Sequence, residues 1–206
     1  IETIVNSNIL IKKKDENIFI TENKDNYLNL LAKKLRAEII HHNNYIGGRY
    51  SVLSEVGMLP SELMGLNSNK FRQLNNLIKN KNFINSLISN VSAIVTLVKL
   101  KKFNSIIINY DQQSNNFFQW YQQLVAESIG KKNSGILPII SCMPKDNHSM
   151  MQLYLDGFQN NFFTFFYVKE KVSTKVNNKK FISSKHFLKN KNIDNILYSQ
   201  KIATEN

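Results

Sequence analysis

The sequence predicts an α/β chain built on parallel sheets, and three observations carry that expectation. Apolar runs of strand length alternate with amphipathic stretches of helix length near the start of the chain. The same alternation returns after a purely helical middle. At 206 residues, 42% of them hydrophobic, the chain is also long enough to bury a core.

Asn17–Glu22 reads as a short buried strand, and Tyr27–Arg36 as a helix with Leu28, Leu31, Ala32 and Leu35 on one face. Ala37–His42 is then the next strand. Strand, helix, strand is the βαβ unit of a parallel sheet, whose ligands bind outside the carboxyl ends of the strands, so a site is expected at the loop Asn43–Ser51. Three helical patterns follow, Ser54–Leu66, Phe71–Lys81 and Phe83–Lys102, and a domain change near Pro60 fits the switch. Phe103–Tyr110 returns to buried strand. The helix Trp120–Lys131, the strand Gly135–Met143, a helix over Asn147–Asp156 and an aromatic strand over Asn160–Glu170 complete the second half. Lys171–Lys180 is polar and lysine-rich and is expected to be a mobile connection, and Ile193–Ala203 to start a helix whose partner is missing. No internal repeat is visible.

Composition narrows the function classes. The longest apolar candidate, Val91–Leu100, is interrupted by Ser92, Thr96 and Lys99, so no membrane span is expected. The single cysteine, Cys142, cannot form an internal disulfide and lies in the apolar run Ile136–Met143, which predicts a buried thiol in a reducing, cytoplasmic setting. A net charge of +12 invites a nucleic-acid reading, but the lysines are dispersed among asparagines, as in Lys79-Asn-Lys-Asn82, and read as solvated surface. A locally positive cleft would steer an anionic substrate. No His/Cys/Asp spacing looks like a metal site, and neither a metal nor another cofactor is expected. The opening Ile1–Ile11 is amphipathic in mid-flow, with no N-cap or basic leader, which predicts an internal fragment.

Three motifs carry chemistry. Trp-Tyr-Gln-Gln-Leu-Val-Ala-Glu-Ser-Ile-Gly-Lys, over Trp120–Lys131, delivers Glu127 to a helix end beside a Gly-Lys turn, with Gln123 four residues earlier on the same face. Phe117, Trp120, Tyr121 and Leu124 are expected to pack the helix on a core and to set Glu127 beside an apolar wall, which would lift a base toward neutrality. Taken alone, the same segment is an ordinary Schellman-type stop at Gly130. In Gly47-Gly-Arg-Tyr-Ser51 the paired glycines allow close approach, so that Arg49 and Gly48 can meet a ligand; the plain alternative is a loop glycine pair with a surface arginine. In Pro144-Lys-Asp-Asn-His148, Asp146 or Asn147 would cap a helix that starts at His148, a position that favours a neutral imidazole; a lone histidine is otherwise a packing or capping residue. His41, His42 and His186 carry no such support.

In this order, the three motifs resemble the glucose-6-phosphate isomerase (phosphoglucose isomerase) family, over a span from about Ile1 to near Glu170. The resemblance implies sugar-isomerase (SIS) architecture, a parallel-sheet sandwich with parts of two subdomains: residues 1–60 in the first, 61–170 in most of the second, and 171–206 as a polar connection and the start of a truncated C-terminal region. It implies a glycolytic and gluconeogenic enzyme that interconverts glucose 6-phosphate and fructose 6-phosphate through a cis-enediol. Glu127 would move the proton between C2 and C1, Arg49 would stabilise negative charge, and His148 would open the sugar ring from the neighbouring subunit, which implies a homodimer. Gln123 and Gly48 would bind substrate. The family's phosphate loop would lie just before Ile1, with Glu2 and Thr3 its last matched residues, and its C-terminal lysine segment beyond the chain, so the fragment alone is expected to be inactive. A non-catalytic SIS module that binds a phosphosugar is the alternative, disfavoured by Glu127, Gln123 and His148. Dual phosphoglucose and phosphomannose specificity stays open, because epimer choice depends on small pocket differences.

Overall fold

The computed structural model describes residues 17–176 and 188–206, so Glu2, Thr3 and His186 lie outside the described residues, as do positions 177–180 of the expected mobile connection. It is an α/β protein with parallel sheets, in two compact units, Ile1–Ser86 and Leu87–Asn206.

In the first, β1 (Ile18–Glu22) pairs in parallel with β2 (Glu38–His42), in a register running from Ile18 opposite Glu38 to Glu22 opposite His42. The crossover is α1 (Tyr27–Leu35), whose Leu28, Leu31 and Leu35 are half-buried and Ala32 fully buried, as the periodicity predicts. Asn26 caps it, accepting from the Asn29 backbone N at 2.9 Å. Arg36 ends it in the left-handed region, with φ 53°, donating its backbone N–H to the Ala32 and Lys33 carbonyls.

After β2 come a 3-10 helix (Gly48–Leu53), α2 (Glu55–Leu63), α3 (Ser68–Arg72), α4 (Asn75–Lys79) and α5 (Lys81–Lys99). Gly57 lets α2 approach the 3-10 helix, since a Cβ there would collide with the Val52 carbonyl. The helix expected over Phe71–Lys81 is instead broken into α3 and α4. The break falls at Gln73 and Leu74, where Leu74 N donates to the Phe71 carbonyl at 3.2 Å and Asn76 N to the Gln73 carbonyl at 2.9 Å, the three-residue pattern of a turn. Asn67 caps the start of α3, accepting from the Asn69 backbone N at 3.0 Å, and Asn80 the start of α5, accepting from the backbone N of Asn82 and Phe83 at 3.0 and 3.2 Å. Each asparagine fixes a helix start by competing for backbone groups.

In the second unit β3 (Asn104–Asn109) is the centre of a three-stranded parallel sheet of order β4-β3-β5, flanked by β4 (Leu137–Cys142) and β5 (Asn161–Phe166). Ile106 and Ile108 face a core with Tyr110, Met143 and Tyr154. Ile107 faces the other way, with Phe118 of α6 (Asn115–Ile129) stacked edge-on to Phe166 at 4.8 Å between ring centroids. A central strand covered on both faces must be apolar throughout, which is why Ile106–Ile108 shows no polar alternation.

The stretch expected as one helix over Asn147–Asp156 is two, α7 (Lys145–Ser149) and α8 (Met151–Asp156), separated at Met150, where φ is −124° and ψ −19°. Nor does the last helix lack a partner. In α9 (Ile193–Glu205), Leu197 packs on the core, the Tyr110 hydroxyl bonds Thr204 Oγ1 at 2.8 Å, and the Tyr167 hydroxyl donates to Asp194 at 2.6 Å. Burial and that carboxylate push Tyr167 up to about 12. The described part of the connection is tethered too: Asp194 N donates to Ser173 Oγ at 2.9 Å, and Lys175 bridges to Asn192. No helix among the described residues is long and apolar enough to cross a membrane.

Ile106→Ala is expected to cost about 2–5 kcal/mol in urea unfolding, because the emptied site is walled on every side. Leu155→Ala, at a position 69% exposed, should change stability by less than about 0.5 kcal/mol. Equal losses in the two variants would contradict the assignment of the core.

Candidate functional site

The Glu127 helix runs back along β4. At its start Asn115 Oδ1 accepts from Asn109 Nδ2 at 2.8 Å and from the Cys142 thiol at 3.6 Å, so this end sits at the carboxyl ends of β3 and β4. Cys142, read from sequence as buried, is half-buried there. Midway, Gln122 Nε2 donates to the Pro138 carbonyl near the amino end of β4 at 2.8 Å. Glu127 lies five residues further on, so α6 carries it past the amino-terminal edge of the sheet.

Gln123 Nε2 donates to Glu127 Oε1 at 3.0 Å, the bond expected of residues four apart. Both are exposed, and the half-buried Trp120, seven residues before Glu127, shares their face. Of the stripe expected to pack α6, Trp120, Tyr121 and Leu124 are half-buried. The buried ring on α6 is Phe118, nine residues from Glu127 and on the opposite side of the helix at 3.6 residues per turn, while Phe117 is 55% exposed. Phe118 thus takes the buried place expected for Phe117.

Gly130 ends α6 for a steric reason. Its φ of −75° and ψ of 72° are not the left-handed conformation of the expected Schellman stop, but a Cβ would stand 2.5 Å from the Ala126 carbonyl oxygen. The chain then turns back through Lys132 (φ 53°) and Asn133 (φ 59°), with Lys131 and Ser134 exchanging two backbone bonds of 3.0 Å.

His148 sits at the other edge of the same sheet. It is exposed on α7, which follows the carboxyl end of β4, and lies in the last turn of that short helix. The expected geometry, with His148 opening a helix and facing its positive end, is therefore not present. Asp146 does not cap either. It turns back to the strand, accepting from Cys142 N at 2.7 Å and Ser141 Oγ at 3.1 Å, and so anchors α7 to β4. Burial opposes the Asp146 charge, but the Cys142 N–H, the Ser141 hydroxyl and Lys145 outweigh it and hold the carboxyl below the usual range.

In the first unit, Gly48 and Arg49 open the 3-10 helix beyond the carboxyl end of β2, and the Arg49 guanidinium carbon lies 5.8 Å from the Tyr50 ring centroid. The glycines make no close approach within the chain: a Cβ at Gly47 or Gly48 would meet nothing within 4 Å. Beside them is a pair that sequence reasoning missed. The His42 ring bonds Glu55 through Nδ1 and the Ile46 carbonyl through Nε2, the latter at 2.9 Å. Glu55 also lines a cavity of about 560 Å³ with Ile40, Ser54, Met58 and Phe71. Thirteen residues separate His42 from Glu55, a spacing that no helical or strand period marks.

Comparison with known proteins agrees with the fold. The family model for phosphoglucose isomerase matches residues 28–165. A glucose-6-phosphate isomerase of Methanocaldococcus jannaschii is 32% identical over 183 residues, 82% of this chain and 45% of that protein. One of Mycoplasma capricolum is 34% identical over 160 residues, covering 75% and 37%. A probable glucose-6-phosphate isomerase of Methanococcus maripaludis is 28% identical over 218 residues, 100% of the chain and 49% of the relative. The chain thus spans less than half the length of these relatives. Among solved structures, a hypothetical protein of Thermus thermophilus shares the fold with a TM-score of 0.75 at 21% identity, over 91% of this chain and 47% of that one.

The anchoring by Asp146 has a pH signature. A carboxyl depressed in the folded state contributes stability that is present above its unfolded value of about 3.9 and is lost as pH falls through the lower folded value. Asp146→Ala leaves the Cys142 N–H unmet and is expected to cost about 1–3 kcal/mol at pH 7, with a weaker acid dependence than the unchanged protein. Urea unfolding at pH 7 and pH 3 measures both, and an unaltered acid dependence would remove Asp146 from this role.

Proposed function

Because the chain belongs to the phosphoglucose isomerase family, we propose that it provides much of the reaction centre of a glucose-6-phosphate isomerase, acting in glycolysis and gluconeogenesis. As the chain spans less than half of its relatives' length, the activity is proposed for the full-length protein. The substrate is a hexose 6-phosphate in its open-chain form. Glu127 takes the proton from C2 as the C1 carbonyl oxygen gains one, which gives the cis-enediol; the same carboxyl then returns its proton to C1 as the C2 hydroxyl proton leaves and the ketone forms. Arg49 offsets the negative charge that develops on the enediol oxygens, a task suited to a guanidinium that stays protonated. Gln123 orients Glu127 and hydrogen-bonds substrate, the turn at Gly48 lies against it, and His148 moves the protons that open the ring. Glu2 and Thr3 complete the proposed substrate-binding residues.

The observation that carries this reading is the bonded, exposed Gln123–Glu127 pair at one edge of a sheet whose other edge bears His148. Twelve residues of helix between Asn115 and Glu127 span ~18 Å, too far for both side chains to reach one sugar. That separation supports a site shared by two copies in a homodimer, with Glu127 from one and His148 from the other.

Glu127→Gln in the full-length protein is expected to lower kcat on the order of 10²–10⁴-fold with the circular dichroism spectrum unchanged. Arg49→Ala should lower it about 10²–10³-fold. Near-normal turnover of glucose 6-phosphate by the Glu127→Gln variant would remove that residue from the mechanism.

A further inference from the structure

We propose that His42 and Glu55 form a clasp that positions Arg49: a doubly donating imidazolium ties the residue before the Gly47-Gly48-Arg49 turn to the first turn of α2. The role assigned to Arg49 rests on the isomerase reading above; the clasp itself rests on geometry. His42 is the last residue of β2, with its side chain 12% exposed. Its Nδ1–H donates to Glu55 Oε1, and its Nε2–H donates to the Ile46 carbonyl at 2.9 Å. A carbonyl and a carboxylate only accept, so both ring nitrogens carry hydrogen and the ring is charged.

The charged groups facing the ring agree. Glu55 approaches from α2, and Glu22, paired with Lys24, stands opposite His42 in the register of β1 and β2. The Glu55 bond, the Ile46 carbonyl and the charges of Glu55 and Glu22 raise His42 above the ordinary imidazole value against the opposing effect of burial. Glu55 is held below the ordinary carboxylate value by its own backbone N–H at the helix start and then by His42.

The turn needs such a hold. Gly47 and Gly48 have no side chains, and their Cβ positions face open space, so packing does not locate them. Hydrogen bonds do so instead. Tyr50 N donates to the Gly47 carbonyl at 2.9 Å, the buried Ser51 donates its hydroxyl to the Gly48 carbonyl at 2.7 Å, and His42 and Glu55 close residues 47–54 from outside. The clasp is closed above the pH at which Glu55 protonates. It opens on the alkaline side, as pH climbs through the raised value of His42.

The test uses the full-length protein and its His42→Gln and Glu55→Gln variants, neither of which alters a residue given a catalytic role. Two measurements are made: kcat and KM for glucose 6-phosphate against pH, and titration of the histidine ring protons by NMR. The expected result is a loss in kcat/KM of about 10- to 100-fold in both variants, with circular dichroism intact and the alkaline limb of the unchanged protein displaced. A merely structural role would lower stability and leave that profile where it was. Unchanged kcat/KM and pH profile in both variants would overturn the proposal. Should the unchanged protein not isomerise glucose 6-phosphate, the isomerase reading fails, and the NMR data alone decide on the clasp. His42 titrating above an ordinary imidazole, and lower in Glu55→Gln, supports it; His42 titrating as a free imidazole overturns it, a result readable on the unchanged protein even if a variant does not fold.

Discussion

The burial of β3 on both faces, between two parallel neighbours, is the constraint from which the second unit follows. Ile106 and Ile108 supply one core and Ile107 the other, so no register but the one seen keeps Asn109 at the strand end, where it bonds Asn115. Parallel pairing with β4 then obliges the chain to cross back over one face, and α6 is that crossing. Its length carries Glu127 to the amino edge of the sheet. The next connection leaves from the carboxyl edge and carries His148. One topological requirement therefore separates two groups that the proposed reaction needs together, and a second copy of the chain is the simplest way to reunite them.

The first unit repeats the principle on a smaller scale. A βαβ turn brings β2 to an end at His42, and the Arg49 turn follows at the carboxyl edge, where open α/β sheets hold their ligands. What differs is the means of support. In the second unit the chain beyond β4 is anchored by Asp146, which accepts bonds from its own strand end, whereas the glycine turn in the first is held by an ion pair drawn from β2 and α2. Both devices use a carboxylate to fix a loop and weaken as it protonates in acid; the His42 bond is lost on the alkaline side as well.

Much of the fold was legible because it is written in periodicity. The apolar runs of all five described strands and the face of α1 follow from residue spacing alone, because burial is what selects those residues. Illegible features depend on competition between near-equal choices. Asparagines 67 and 80 set where α3 and α5 begin by capping, a local bond that hydrophobic spacing does not report. Phe117 and Phe118 are adjacent and equally apolar, so only the position of Phe166 across the sheet decides which is buried. Of the candidate site, the Gln123–Glu127 pair was readable from its four-residue spacing. The helical position of His148 and the His42–Glu55 bond were not, since both arise from contacts between elements. Membership of the phosphoglucose isomerase family, by contrast, was visible in three short motifs.

The most direct test of the account is subunit complementation. Glu127→Gln and His148→Ala versions of the full-length protein, each inactive alone, are mixed, dissociated and reassembled, and isomerisation of glucose 6-phosphate is measured. If the two side chains meet only across a dimer, half of the dimers formed at random are mixed and each has one intact site, so about a quarter of the unchanged activity should return. No recovery in verified mixed dimers would place both groups in one subunit's site and contradict the separation argued from α6.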